Sequence, residues 1–476
     1  MTSIDTDYLV VGSGASGLAF VDTLLAETDA HVTVVDRHGT PGGHWNDAYP
    51  FVTLHQPSAF YGVDSVPLGT GRKDTVGLNA GMYELASGAE IRGYYDRVMS
   101  SHLLPSGRVG YHPLCDYQGG DDGRHRFRSL LSGAVTEVRV RRKVVDTTYN
   151  SPSVPSTHTP RFSTGAGVQL VPPNALPGLW SGALPAPPRR FVVLGGGKTA
   201  MDTCVWLVQT GADPASITWV VPRDSWLINR VTTQPGEEFF DRSIGGQADQ
   251  MEAMATATDV GDLFLRLERC GILTRIDRDR TPAMFHLATV APGEVEVLRR
   301  VQDVVRLGRV RELHADRMVL DDGVVPVEPD TLFVDCTASA VQPRPVQPVF
   351  QGDRIVVQMV RLPQPAFSAA LTAYVESHHE DDEHKNRLCG PVPFPQTLDD
   401  YPAAMTATMW NQYHWGQDRT LRRWIRGSRL DGFGELVAGA DRDDLHKQAV
   451  LARLKEHAVA AMTNLTTLAA AARVPA

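Results

Sequence analysis

The chain has 476 residues, 42% of them hydrophobic, enough for a large core and, at ~150 residues each, for two to four domains. A formal net charge of -9 without a long basic run argues against nucleic acid as a partner. No apolar run reaches about 18 residues and no basic segment opens the sequence, so neither a membrane span nor a signal peptide is expected and the location expected is cytoplasmic.

A strand at residues 8–11 runs into Gly12-Ser13-Gly14-Ala15-Ser16-Gly17 and then a helix to about residue 26. Glycines in such a turn let the backbone approach a pyrophosphate, and the helix start offers free N–H groups and a positive dipole end. The next strand, 31–35, ends at Asp36-Arg37, about where an acid holds a ribose hydroxyl. Contacts expected here are Gly12, Gly14, Ser16, Gly17, Asp36 and Arg37. A strand near 143–146 leads into a stretch rich in proline, from Pro152 through Pro185, Pro187 and Pro188. Proline removes donors and fixes φ, so this reads as an extended linker.

The pattern then repeats. A strand at 191–194 enters Gly195-Gly196-Gly197-Lys198-Thr199-Ala200, a helix follows, and the strand 217–221 ends at Pro222-Arg223. An acid at that position would pair with the free hydroxyls of NADH or of the adenosine of FAD. An arginine complements a 2′-phosphate instead, so this site favours NADPH. Gly195, Gly197, Lys198, Thr199, Ala200 and Arg223 are the expected contacts, Lys198 as a further phosphate ligand. Two such turns suggest two dinucleotides, with electrons passing between them.

Residues 235–300 read as a helical insertion. Strands return at 303–307 and 317–320, a hairpin turn falls at Asp321-Asp322-Gly323, and the strand 331–335 leads back to the first unit. The run from His378 to His384 reads as a solvated charged loop, and no metal site is expected. Residues 451–468 read as an amphipathic helix. Trp410, Tyr413, Trp415 and Trp424 read as core. Cys115, Cys204, Cys270, Cys336 and Cys389 form no CxxC pair and read as reduced, buried side chains.

The order of these parts, with Gly42-Gly43-His44-Trp45 after the acidic strand, resembles the flavin-containing monooxygenases and related flavoproteins with two dinucleotide sites, over about residues 7–376. The resemblance implies an α/β fold with two Rossmann-like dinucleotide-binding domains, for FAD and NADPH, plus a helical insertion and a helical C-terminal region. Its divisions would be residues 1–160 for FAD, a linker at 161–190, NAD(P)H at 191–330, a return segment at 331–376 and an extension at 377–476. It also implies that Gly42, Gly43 and His44 run along the flavin and that Trp45 packs beside its rings. The family's A-T-G crossings are degenerate here, as Asp146-Thr147-Thr148 and Asp335-Cys336-Thr337-Ala338, with Thr147 and Asp335 expected at the cofactors. Gln364 opens a helix that would point at the flavin's pyrimidine carbonyl.

Two departures stand out. The fingerprint F-x-G-x-x-x-H is missing, which weighs against a Baeyer–Villiger reaction. Where relatives carry an asparagine by the flavin edge, this sequence has His55-Gln56. The resemblance then implies hydride transfer from NADPH to FAD, a flavin peroxide formed with molecular oxygen, and oxygenation of a nitrogen or sulfur of a small-molecule substrate. Gln56 would donate a hydrogen bond and His55 act as proton donor or base. A homodimer is an option; no membrane partner is expected. The alternatives are a flavoprotein reductase or dehydrogenase that does not oxygenate, and a redox-inactive dinucleotide-binding protein.

Overall fold

The computed structural model describes residues 2–150, 152–179, 181, 188–339, 341 and 343–472. The linker residues Pro185 and Pro187 lie outside them. No helix among the described residues is long and apolar enough to cross a membrane.

The first sheet is built around β1 (Thr2–Val11), which pairs in parallel with β2 (Val32–Val35). β2 continues to β3 (Val109–His112), and the other edge of β1 takes the long β4 (Val135–Asp146). Tyr8, Leu9 and Val10 are buried, as is all of β2, the near-continuous apolar pattern of strands covered on both faces. Helix α1 (Ala15–Glu27) is buried from Gly17 to Leu25.

The second sheet is wholly parallel, in the order β8-β7-β6-β9-β5. Its strands are β5 (Gln169–Val171), β6 (Arg190–Leu194), β7 (Ile217–Val220), β8 (Asp303–Val305) and β9 (Thr331–Asp335). Helix α2 (Lys198–Gln209) follows β6. From β9 the chain returns, and β10 (Arg354–Val356) pairs with the second half of β4. Helix α3 (Pro365–His378) then packs on α1, with Ala366, Ala369, Ala370 and Ala373 buried on it. Small side chains allow two buried helices to approach closely.

Three parts differ from the sequence reading. The insertion is helical at Asp241–Gly245, Gly246–Thr256, Val260–Arg269 and Pro292–Leu298, but Met284–Val290 is a strand lying parallel to Ser225–Asn229. Its aromatic and β-branched residues suit a ladder better than a helix. The C-terminal amphipathic segment is two helices, Leu445–Glu456 and Ala458–Ala471. Trp415 is buried, whereas Trp410 and Tyr413 are exposed. The hairpin at Asp321-Asp322 forms as read, pairing Leu320 with Gly323.

The C-terminal region ties the molecule together. Helix Ala458–Ala471 packs on the insertion helix Gly246–Thr256. Arg429 donates to the carbonyls of Ala59 (2.7 Å), Tyr61 (2.8 Å) and Val66 (3.0 Å) in the first domain. One guanidinium thus braces the loop that follows Gln56.

Candidate functional site

The two glycine turns are built alike. Gly12 has φ +104° and Gly195 φ +123°, conformations that L side chains rarely adopt. Each donates its N–H to the end of the neighbouring strand, Gly12 to Val35 and Gly195 to Val220, both at 2.9 Å. A crossing segment runs beside each turn. A Cβ on Gly12 would meet Thr147 Oγ1 at 2.6 Å, and one on Gly195 the Cys336 carbonyl at 2.6 Å.

The crossings themselves match. Asp146 Oδ1 accepts from the N–H (2.9 Å) and hydroxyl (2.7 Å) of Thr148. Asp335 Oδ1 accepts from the N–H (2.9 Å) and hydroxyl (2.6 Å) of Thr337. A D-x-T turn therefore stands where A-T-G was degenerate. Asp335 spends one oxygen on that turn, and the Thr147 hydroxyl is spent on the Val11 carbonyl at 2.8 Å. Both residues brace the turns.

Helices α1 and α2 begin at Gly14 and Gly197, and neither has a side-chain cap. Their first N–H groups are left for an anion, as a pyrophosphate cradle requires. Ser16 and Thr199 lie half-buried in these first turns; Ala200 is fully buried. A Cβ on Gly17 would overlap the Gly12 carbonyl oxygen. Gly43, at φ +58°, brings its backbone against Gly14, where an added Cβ would sit 2.9 Å from the Gly14 Cα. These residues fit a dinucleotide.

Asp36 is buried at the end of β2. Burial opposes its charge, yet hydrogen bonds from His38 and Ser13 hold its carboxyl below the usual range. His38 also reaches Asp47 at 2.8 Å. Held by Asp36 first and Asp47 second, against partial burial, its imidazole is raised to about 9. Arg37 is exposed, 3.6 Å from Asp116. Trp45 is a core residue whose indole donates to the Tyr61 hydroxyl at 2.8 Å. His44 leans on Trp45, and burial lowers its imidazole to about 4.

The loop carrying His55 and Gln56 meets the second domain. Tyr49 donates to Asp202 at 2.7 Å, and Phe51 stacks on Trp206 at 4.9 Å. Arg230, 1% exposed, donates to the His55 carbonyl at 2.7 Å and pairs with Glu294 at 2.6 Å. Lys198 joins the same network, bound to Asp202 and, at 3.1 Å, to Glu294. Its ammonium is thus held by two carboxylates, a competitor to the expected phosphate. Burial penalises Glu294, but Lys198 and Arg230 outweigh it and lower its carboxyl to about 2.

His55 sits beside these cations. Burial, then Lys198 and Arg230, lower its imidazole to about 3. That environment favours the neutral imidazole over the imidazolium. Gln56 is half-buried, and its side chain makes no hydrogen bond among the described residues.

Gln364 is committed elsewhere, binding buried Arg361 and, at 3.3 Å, the Asp431 carbonyl. Arg361 pairs with Asp431 at 2.6 Å. Arg223 is exposed at the end of β7; partial burial and the neighbouring Arg309 lower its guanidinium. The Arg223 backbone lies against the second turn, where a Cβ on Gly196 would meet its carbonyl at 3.1 Å.

Sequence reasoning missed Arg230, Glu294, Tyr49 and Asp202. The spacing of Lys198 and Asp202, one helical turn, was the available signal; the others meet only through the fold.

A family model described as an NAD(P)-binding Rossmann-like domain matches residues 10–59. The uncharacterized proteins Rv2000 and MT2056 of Mycobacterium tuberculosis are each 45% identical over 435 residues, covering 91% of this chain and 79% of theirs. Cyclohexanone monooxygenase bound to cyclohexanone, in its rotated conformation, superposes with a TM-score of 0.50 at 14% identity over 79% of this chain and 86% of that one. Its open form gives 0.50 at 15%, over 79% and 87%. At such identity the likeness is one of fold. The chain belongs to the family of these mycobacterial proteins and has the two-domain α/β fold of the flavoprotein monooxygenases.

Proposed function

We propose that the chain is an FAD- and NADPH-dependent oxidoreductase, a monooxygenase acting on a nitrogen or sulfur of a small molecule. One observation carries this reading: two uncapped glycine turns of matching construction, joined by a loop that starts at the first and packs on the helix of the second. Bound there, FAD and NADPH would supply hydride transfer and oxygen activation.

The residues divide the task as follows. Gly12, Gly14 and Gly17 would leave room for the FAD pyrophosphate, and the start of α1 would bind it. Gly195, Gly197 and the start of α2 would do the same for NADPH, with Arg223 and Arg309 at its 2′-phosphate. Tyr49 and Phe51 fix the loop against α2, and Arg230 holds its His55 carbonyl. Neutral His55 can accept a proton or a hydrogen bond, and Gln56 can donate one from its free amide. The covered network around Arg230 excludes water from this corner.

The test is direct. Purified protein should be yellow, NADPH should bleach it faster than NADH does, and a nitrogen- or sulfur-containing acceptor should gain ¹⁸O from labelled O₂. Bleaching without label in any product would replace oxygenation by a reductase or dehydrogenase reading. Colourless protein that takes up no FAD would remove the flavin reading itself.

A further inference from the structure

The charged run near residue 380 does not stay a solvated loop. His379 closes α3, His384 lies on α4 (Asp382–Leu388), and Asp418 caps α5 (Arg419–Gly427). The fold brings one atom from each, two imidazole nitrogens and a carboxylate oxygen, within 4.8 Å of one another.

The valences are left open. His379 Nε2 is buried and has no hydrogen-bond partner. It faces Asp418 Oδ2 at 3.6 Å. The other oxygen of Asp418 is committed to α5, accepting from Thr420 N (2.8 Å) and Leu421 N (3.0 Å). The His384 imidazole has a ring contact with His379 and no hydrogen bond among the described residues. An unmet buried nitrogen is costly, and a cation is the partner that two imidazoles and a carboxylate would share. The adjacent Lys385 bears on His379, but its charge is offset by Glu376 at 2.8 Å and Asp382 at 3.1 Å.

We propose that His379, His384 and Asp418 form a binding site for one zinc-class divalent ion, with water completing its coordination. Two imidazoles and a carboxylate suit zinc better than magnesium or calcium. Tetrahedral zinc with bonds of ~2.0 Å needs ligand atoms about 3.3 Å apart, which side-chain rotation supplies from the present spacing. The ion would pin the end of α3, in the first domain, to the start of α5, in the C-terminal region. Its action would be structural, independent of the dinucleotide sites.

Titration of the metal-free full chain with zinc chloride against a chromogenic chelator tests this. The wild type should take up one tight equivalent and melt at a higher temperature with it. Co(II) should give visible d–d bands in a difference spectrum, separate from any flavin signal. His384→Ala should weaken the tight equivalent by at least about tenfold and abolish the thermal shift. His379→Gln should do likewise, and melting without metal shows whether either variant is folded. His446→Ala, at an exposed histidine elsewhere, should leave both effects intact. Absence of a stoichiometric tight equivalent, or equal binding by all three variants, overturns the site.

Discussion

His38 and Asp36 form a closed pair. Asp36 Oδ1 accepts from the backbone N–H of His38 at 2.7 Å and from its imidazole at 3.1 Å. Ser13 fills Oδ2, from its N–H at 2.5 Å and its hydroxyl at 2.8 Å. A carboxylate has about four lone-pair sites, so no acceptor is left for a ribose hydroxyl unless His38 moves.

The pH dependence of this pair has a definite sign. The His38 imidazole is raised to about 9. Its contribution is fully present below about pH 6.5 and is lost as pH rises through about 9. Melting temperature between about pH 7 and 10 should therefore fall more in the wild type than in His38→Ala. Parallel curves would show that the protonated pair contributes nothing.

The first turn should not tolerate a side chain at Gly43. Its left-handed backbone costs a non-glycine residue about 1–2 kcal/mol, and the added Cβ would press on the backbone of Gly14. Gly43→Val should lower the flavin content of purified protein severalfold. Gly81→Ala also has a positive φ but open space around it, and should not. Equal flavin content in the two variants would show that the Gly14–Gly43 contact is not part of the cradle.

The two dinucleotide units were legible because their signals are local. Strand, glycine turn, buried helix and strand-end residue follow one another within some 30 residues. Arg230 with Glu294 and Asp36 with His38 were not read. The first pair is separated along the chain and joined only when the insertion folds back. The second is adjacent, but nothing in the residues says that the ring turns inward. Lys198 was read as a further phosphate ligand, yet its present partners include Glu294 on another element.

Arg230 and Glu294 are both largely buried, 1% and 13% exposed, so removing Arg230 leaves a buried carboxylate with Lys198 but without its 2.6 Å partner. Arg230→Ala should destabilise the protein by about 3–5 kcal/mol. Arg230→Met with Glu294→Leu should cost less than Arg230→Ala, because no arginine–carboxylate pair is then half broken. Glu294, lowered to about 2, adds stability above about pH 4.5 that is lost as pH falls through about 2. Urea unfolding of the single and double variants measures the difference. A double variant as unstable as the single one would assign the loss to packing.

Arg223 and Arg309 should choose the nicotinamide cofactor. Partial burial and then Arg309 lower the Arg223 guanidinium, and a dianionic phosphate would relieve that repulsion. Arg223→Ala should lose about 1.5–3 kcal/mol in kcat/KM with NADPH and little with NADH. Equal losses with both cofactors would place Arg223 away from the 2′-phosphate.

Gln56 and His55 divide the last expectation. Gln56 has an unengaged amide, on a loop that Tyr49, Phe51 and Arg230 hold against the second domain. A donor fixed there could retain activated oxygen until substrate reacts. Gln56→Ala should leave the rate of flavin reduction by NADPH within about twofold of wild type. The fraction of NADPH consumed as released hydrogen peroxide should rise. Gln56→Asn, which keeps the amide, should fall between the two. His55 is lowered to about 3, so no step in coupling should titrate with an imidazole between about pH 6 and 8. If peroxide release is unchanged in Gln56→Ala, or coupling follows a histidine-like titration that His55→Gln removes, the roles given to these two residues are wrong even with both dinucleotide sites intact.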